Sequence, residues 1–271
     1  MGKFTDKVVF ITGSSKGIGK ATAIAFLKSG AKVVINGRDK TALERTAKEI
    51  SAYGGEYMEI ASDIAESGNF KTALNAIIDH FGRLDILILN AGLSSYGLVE
   101  DTSDETLENI LNVNTLGPFK GARDALPFIK KSNGSIVFIS SLAGLHGIPR
   151  SSVYSMSKMA LTGLAQSLKT EMTGQKVHIG IVYVGFTKND AEKKVIGPDG
   201  STRPIQNRPG WIQQKQEKVA LLILRSVKYR RFKSVLSPMG KFMAFFSRHF
   251  PHIWQYSMKG VLRSAEKLTH E

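Results

Sequence analysis

Val8-Val9-Phe10-Ile11-Thr12-Gly13-Ser14-Ser15-Lys16-Gly17-Ile18-Gly19 sets an apolar run, a loop with three glycines and the start of a helical pattern in direct succession. Glycines between a strand and a helix let the backbone turn tightly and approach a pyrophosphate, which then sits at the positive helix N-terminus. The spacing is GxxxGxG rather than GxGxxG, so glycines that serve only a tight turn are the other reading. On the first reading, Gly13, Ser15, Lys16, Gly17, Ile18 and Gly19 hold a dinucleotide.

The pattern repeats outward. Residues 8–11, 32–35, 57–60, 86–89, 135–139 and 178–182 read as six apolar strands. Helix-length segments lie between them near 17–29, 40–53, 66–81, 104–131 and 152–173. Near-continuous apolar strands belong in a sheet covered on both faces, and alternation with helices implies right-handed crossovers. The fold class expected is α/β, a Rossmann-type doubly wound parallel sheet flanked by helices. Residues 1–237 form one catalytic domain and 238–271 an extension. The long stretch 186–210 carries Gly197-Pro198-Asp199-Gly200 and is expected to be irregular, a lid or substrate loop.

Composition narrows the class. No cysteine is present, which removes disulfides and thiolate metal sites and suits a reducing cytoplasm. No metal site is expected. Met1 to Asp6 runs straight into the first strand without a signal-like apolar core, so cytoplasmic residence is expected. No apolar run approaches the roughly 18–20 residues that span a bilayer. Residues 201–271 hold 14 Lys+Arg against 3 Asp+Glu, a net of +11 within a chain total of +14. No nucleic-acid-binding motif accompanies these charges, and nucleic acid is not expected as a partner.

The end of the second strand usually chooses the dinucleotide, because an acid there takes the ribose 2′-hydroxyl. Here the chain reads Asn36-Gly37-Arg38. The acid is missing, and Arg38 with Lys16 would suit a 2′-phosphate, so NADP(H) is the expected cofactor.

Two stretches offer a tyrosine one helical turn before a lysine: Tyr154-Ser155-Met156-Ser157-Lys158 and Tyr229-Arg230-Arg231-Phe232-Lys233. A neighbouring ammonium lowers a phenol pKa and makes it a better acid catalyst. The surroundings decide between them. Ser141 ends the fifth strand and Tyr154 opens the next helix, so both lie at the carboxyl edge of the sheet, where doubly wound folds bind ligands. Thirteen residues before Tyr229 stands Gln216, and Tyr229 reads as a basic surface turn.

Together TGSSKGIG at 12–19, Asn90-Ala91-Gly92, Asn114, Ser141 in ISSLAG and Tyr154-xxx-Lys158 resemble the short-chain dehydrogenase/reductase family. The stretch 132–144 is similar to its hydroxysteroid-dehydrogenase branch. The resemblance covers residues 5 to about 190. It implies an enzyme that moves hydride between nicotinamide and a carbonyl or secondary alcohol. Tyr154 would donate the proton, and Ser141 would hydrogen-bond the carbonyl oxygen. Lys158 would tune Tyr154 and bond the nicotinamide ribose, and Asn114 would hold a water leading to solvent. It further implies cofactor contacts at Asp63, Ile64, Asn90, Ala91, Gly92, Gly185, Thr187 and Asn189, and a homodimer or homotetramer. Two departures stand out: Val184 replaces the usual proline before Gly185, and Asn189 stands where threonine is usual.

The substrate expected is a small carbonyl or alcohol, an apolar steroid- or lipid-like ketone. It would be shaped by 186–210, Leu93 to Gly97 and Leu145 to Pro149. A 3-oxoacyl-thioester reductase shares every motif, and a non-catalytic dinucleotide-binding protein shares the fold. The tail, 239–267, reads as two amphipathic helices broken at Pro251. Phe242, Met243, Phe246 and Phe250 oppose Lys241 and Arg248. Ile253, Trp254, Ser257, Met258 and Val261 oppose His252, Lys259 and Arg263. Such a stripe serves either peripheral contact with an anionic membrane or packing on the protein's own body or a second subunit.

Overall fold

The computed structural model describes residues 3–188, 190, 193–205, 210, 213–236 and 238–267. Of these, Pro238, Met239 and 261–267 are described by backbone alone, so Asn189 and the side chains of Val261 and Arg263 lie outside the described residues.

The glycine-loop unit is β1 (Val8–Ile11) followed by α1 (Gly17–Leu27). Next come β2 (Lys32–Gly37), α2 (Lys40–Ser51), β3 (Tyr57–Ala61), α3 (Asn69–Phe81) and β4 (Ile86–Leu89). Then follow α4 (Asp104–Leu111), α5 (Gly117–Ser132), β5 (Ser135–Ser141), α6 (Ser152–Glu171) and β6 (His178–Val184). The last part comprises β7 (Lys194–Ile196), β8 (Thr202–Pro204), α7 (Gln216–Lys228), β9 (Lys233–Val235), α8 (Pro238–His249) and α9 (Pro251–Lys267).

Seven strands form one parallel sheet in the order β3-β2-β1-β4-β5-β6-β9. Alternate strand residues face opposite layers. Val9 and Ile11 pack with Phe26 of α1, Leu43 and Ile50 of α2 and Ile223 of α7. Val8 and Phe10 pack with Phe70 and Leu74 of α3, Ile129 of α5 and Leu161 and Leu168 of α6. After β3 the chain crosses back past β1, so the order reverses between β1 and β4. A cleft opens there at the carboxyl ends of the strands.

Buried Asp85 fixes the opposite edge. It accepts from the Val8 N–H at 3.0 Å, from Lys7 Nζ at 2.9 Å and from both ends of the Arg83 guanidinium. Burial pushes its pKa up, but the hydrogen bonds from Arg83, Lys7 and Val8 outweigh that and hold it below the usual carboxylate value.

Three expectations are refined. The segment read as one helix over 104–131 is broken by a π-helical turn at Asn112–Leu116. The stretch 186–210 is not wholly irregular: β7 and β8 form an antiparallel hairpin around Gly197 to Gly200. The tail is helical on both sides of Phe250, with Pro251 as the first residue of α9, where its missing N–H is least costly. Its inner side rests on the protein body, through Met243 against the core and Trp254 edge-on to His146 with ring centres 4.5 Å apart. Its outer side exposes Phe242, Phe245, Phe250, Ile253 and Tyr256. Among the described residues, no helix is long and apolar enough to cross a membrane.

Candidate active site

The glycine loop is held from beneath. Thr12 Oγ1 accepts from the N–H groups of Asn90 at 2.9 Å and Ala91 at 3.0 Å. The Asn90 amide donates back to the carbonyls of Thr12 and Gly13, both at 2.9 Å. Asn36, fully buried, braces the other side. Its Oδ1 accepts from Gly13 N–H, and its Nδ2 donates to the Ile60 and Ser62 carbonyls. Only glycine suits position 13: φ is +61°, and a Cβ would lie 2.8 Å from the Ala91 Cα. Ser15 supports α2 through its carbonyl, which accepts from Thr46 Oγ1 at 2.6 Å. Gly17, Ile18 and Gly19 form the first turn of α1, and no side chain caps that turn. Its N–H groups face the loop region where a pyrophosphate fits.

Lys16 is exposed at the loop tip. Arg38 lies at the end of β2, 58% exposed, and donates to Asp63 Oδ2 at 3.1 Å. Asp63 thus meets Arg38 directly, which the sequence does not reveal. Ile64 beside it is buried.

Across the cleft, Ser141 is the last residue of β5, and its Oγ accepts from the Ala143 N–H at 3.2 Å. Tyr154 lies half-buried in the first turn of α6. Lys158, one turn on, is buried, with Nζ 5.9 Å from the Tyr154 ring centre and donating to the Ile139 carbonyl at 3.2 Å. Burial above all, with the like charge of Lys193 second, pulls its pKa down to about 8.

Asn114 sits in the π-helical turn with its side chain entirely buried. Its Oδ1 accepts from Leu93 N–H at 2.7 Å, and its Nδ2 donates to the Leu93 carbonyl at 2.9 Å and Ser157 Oγ at 3.0 Å. Ser157 in turn donates to the Tyr154 carbonyl at 2.7 Å. A Cβ on Gly92 would stand 3.1 Å from Lys158 Nζ and 3.2 Å from Asn114 Oδ1, so glycine leaves the space where those two groups converge. The fold therefore brings Asn114, Ser141, Tyr154, Lys158 and the Asn90-Ala91-Gly92 run to one edge. Tyr229 lies elsewhere, 55% exposed beyond α7, among Lys3, Lys228 and Arg231.

Gly185 follows β6, and Thr187 Oγ1 donates to its carbonyl at 3.2 Å. Thr187 pairs with Gln214, whose Oε1 is buried without a partner among the described residues. An amide acceptor left open beside Gly185 fits a nicotinamide carboxamide. The cleft walls are tied together as well. Ser95 pairs with Ile196 of β7, Gly97 with Ser151, and Ser103 N–H donates to the Pro198 carbonyl at 2.9 Å. Among the described residues, no group of three or more His, Cys, Asp or Glu could hold a metal.

Residues 7–198 match the family described as short chain dehydrogenase. The chain belongs to that family. It is an oxidoreductase acting on C–OH or carbonyl groups with a nicotinamide dinucleotide. This short chain dehydrogenase is 37% identical over 227 residues to an uncharacterized oxidoreductase of Thermotoga maritima, covering 82% of this chain and 90% of the relative. A 3-oxoacyl-(acyl-carrier-protein) reductase of the same organism is 30% identical over 220 residues, covering 80% and 89%. A Burkholderia phymatum short chain dehydrogenase/reductase solved in complex with NAD superposes with a TM-score of 0.80 over 93% of this chain and 96% of its own, at 23% identity, which shows the shared fold.

Sequence reasoning missed Thr12, Asn36, Ser157 and Gln214. The first three act through hydrogen bonds to backbone groups and, for Ser157, to the Asn114 side chain, which no spacing encodes. Gln214 lies outside the family's recognisable motifs.

Asn114→Ala would leave Leu93 and Ser157 without their buried partner. An unsatisfied buried group costs about 1–3 kcal/mol, so the variant should melt several degrees lower by calorimetry. A Tm equal to wild type would show that the π-helical turn holds without this amide.

Proposed function

We propose that this short chain dehydrogenase uses NADP(H) to interconvert a carbonyl and a secondary alcohol on an apolar, steroid- or lipid-like substrate. The catalytic residues are Asn114, Ser141, Tyr154 and Lys158. The observation that carries this reading is a buried lysine ammonium one helical turn from Tyr154, at the edge where the glycine loop also opens. The cofactor, when bound, supplies or accepts hydride at the substrate carbon. The chain's own residues handle the proton and the charge. Tyr154 gives its phenolic proton to the carbonyl oxygen, Ser141 donates a hydrogen bond to that oxygen, and Lys158 favours the phenolate left behind. Asn114 holds the water path to Lys158. Gly13, Ser15, Lys16, Gly17, Ile18 and Gly19 take the pyrophosphate. Asp63, Ile64, Asn90, Ala91 and Gly92 line the adenosine and ribose side. Gly185, Thr187 and Asn189, with Gln214, take the nicotinamide end. Residues 1–237 form the catalytic unit, working as a homodimer or homotetramer, with 238–271 as its extension. The similarity to a 3-oxoacyl-(acyl-carrier-protein) reductase favours one second reading, a 3-oxoacyl thioester as substrate.

Tyr154→Phe removes the proton donor and keeps the ring. Turnover of ketones with NADPH should fall to a small fraction of wild type while NADPH still binds. Tyr229→Phe should leave kcat unchanged. For the wild type, kcat/KM for reduction should hold below about pH 8 and fall above it, as Lys158 loses its proton. Activity surviving in Tyr154→Phe, or lost in Tyr229→Phe, would overturn the assignment.

The preference for NADP(H) rests on Arg38. Its pair with Asp63 is solvent-exposed and worth little, at most about 1 kcal/mol, so it yields readily to a phosphate. Charge-assisted hydrogen bonds to a 2′-phosphate contribute roughly 1.5–3 kcal/mol, about ten- to a hundredfold in Kd. NADPH should therefore bind more tightly than NADH, and Arg38→Asp should erase or reverse the difference. Equal titration curves for the two cofactors with wild type would reject this.

For the tail, the reading is that its outer side meets an anionic lipid surface. The exposed aromatics Phe242, Phe245, Phe250 and Tyr256 stand beside Lys241, Arg248 and Lys259. Rings at the acyl boundary and cations on headgroups reinforce one another. Full-length protein should float with vesicles containing anionic lipid, release at high salt, and stay behind when cut after Ser237. If full-length and cut protein both remain unbound at low salt, the tail is an assembly element.

A further inference from the structure

The loop between Ser141 and Tyr154 ends at Arg150, a residue in which three unusual features coincide. Its backbone is left-handed at φ +58°, a conformation that non-glycine residues adopt rarely and that concentrates at functional positions. Its Nε and Nη1 are buried without a hydrogen-bond partner among the described residues. Its guanidinium carbon lies 5.6 Å from the centre of the Tyr96 ring, and its carbonyl accepts from the Gly97 N–H at 2.8 Å. The backbone clamp thus ties the two substrate-side walls together, and the side chain spans them. Tyr96 and the residues that follow Arg150, Ser151 and Ser152, line a small cavity next to that junction.

A guanidinium has five N–H donors and no acceptor, and it stays charged at any pH a protein tolerates. The Tyr96 ring face meets part of that charge but accepts no strong hydrogen bond. Burying donors of a charged group without acceptors is among the least favourable arrangements in a protein. It is relieved when a group with several anionic oxygens enters. We propose that Arg150 is a specificity-determining residue that binds an anionic group, carboxylate or phosphate, on the carbonyl substrate. The inference rests on the cleft beside Tyr154 being the substrate site. It deepens the lipid-like reading to an amphiphile, with an apolar chain and an anionic head held at the loop end four residues before Tyr154.

The test uses the full chain with NADPH bound and probes that pair an anion with an uncharged counterpart. The carboxylate arm is 4-oxopentanoate, 6-oxoheptanoate and 8-oxononanoate, each against its methyl ester. The phosphate arm is dihydroxyacetone phosphate against dihydroxyacetone. Calorimetry reads binding, and NADPH oxidation reads turnover. At least one acid should bind tenfold or more tightly than its neutral partner, with the preferred arm naming the anion. Arg150→Met should bring that acid down to its neutral partner without moving the partner's own Kd. Arg150→Lys should keep part of the preference, since it retains charge but not the guanidinium donors. Acids and neutral partners binding alike in wild type, or no acid binding at all, overturns the proposal. So does a preference that survives in a folded Arg150→Met. Charge-dependent binding without turnover of any probe would instead count against Tyr154 as the proton donor and leave Arg150 standing.

Discussion

A lysine ammonium in a fully enclosed place is the constraint around which this molecule is arranged. An amine that loses its hydration must find acceptors or give up its proton. Lys158 does some of each: it donates to the Ile139 carbonyl, and its pKa falls to about 8. The surrounding peculiarities follow from making room for that group. Glycine at 92 clears the space in front of Nζ. The π-helical turn swings the Asn114 amide into the same space. Ser140 Oγ donates to the Lys158 carbonyl at 3.0 Å, fixing the helix that carries it to the strand that carries Ser141. Helix α6 is placed as much by this network as by Leu161 and Leu168 in the core.

The fold then turns one cation into a graded positive field. Lys193 bears on Lys158 across the cleft, Arg38 and Lys16 flank the dinucleotide end, and Arg150 stands at the substrate end. The glycine loop adds the uncapped N-terminus of α1. Arg38 borrows Asp63, in a pair open to solvent. Water screens a pair that exposed, so it does little to hold Arg38 in place. Phosphates at one end and an anionic head at the other would leave only the reacting carbonyl uncharged, opposite Tyr154.

What the sequence reveals divides along a physical line. Local patterns were legible. The β-branched apolar runs produced all six expected strands of the parallel sheet, and Tyr154 could be told from Tyr229 because Ser141 stands where a strand must end. Long-range polar pairing was not legible. Residues 104–131 look like one helix because nothing local announces that Asn114 will bond Leu93 and Ser157. Residues 186–210 look irregular because β7 and β8 are only three residues each, too short to show a period, although the hairpin between them is local. Asn36 was read for the acid it is not, while its work is to hold the glycine loop through four backbone and side-chain groups. Arg150 carries no motif at all; its two buried nitrogens and left-handed backbone appear only in three dimensions.

The tail shows how the two kinds of information meet. Its amphipathic period is local and was readable, but a stripe cannot say which surface it faces. In the fold, the partly buried positions Met243 and Trp254 turn inward, and Trp254 closes on His146 of the same loop that runs from Ser141 to Arg150. Burial lowers the His146 pKa, and its Nδ1 and the Trp254 Nε1 are both buried without partners among the described residues. Helix α9 therefore packs against a residue of that loop and leaves polar atoms without partners there. Unsatisfied groups make a contact of limited strength, so the tail can lift from the loop at lower cost than from a dry apolar seam.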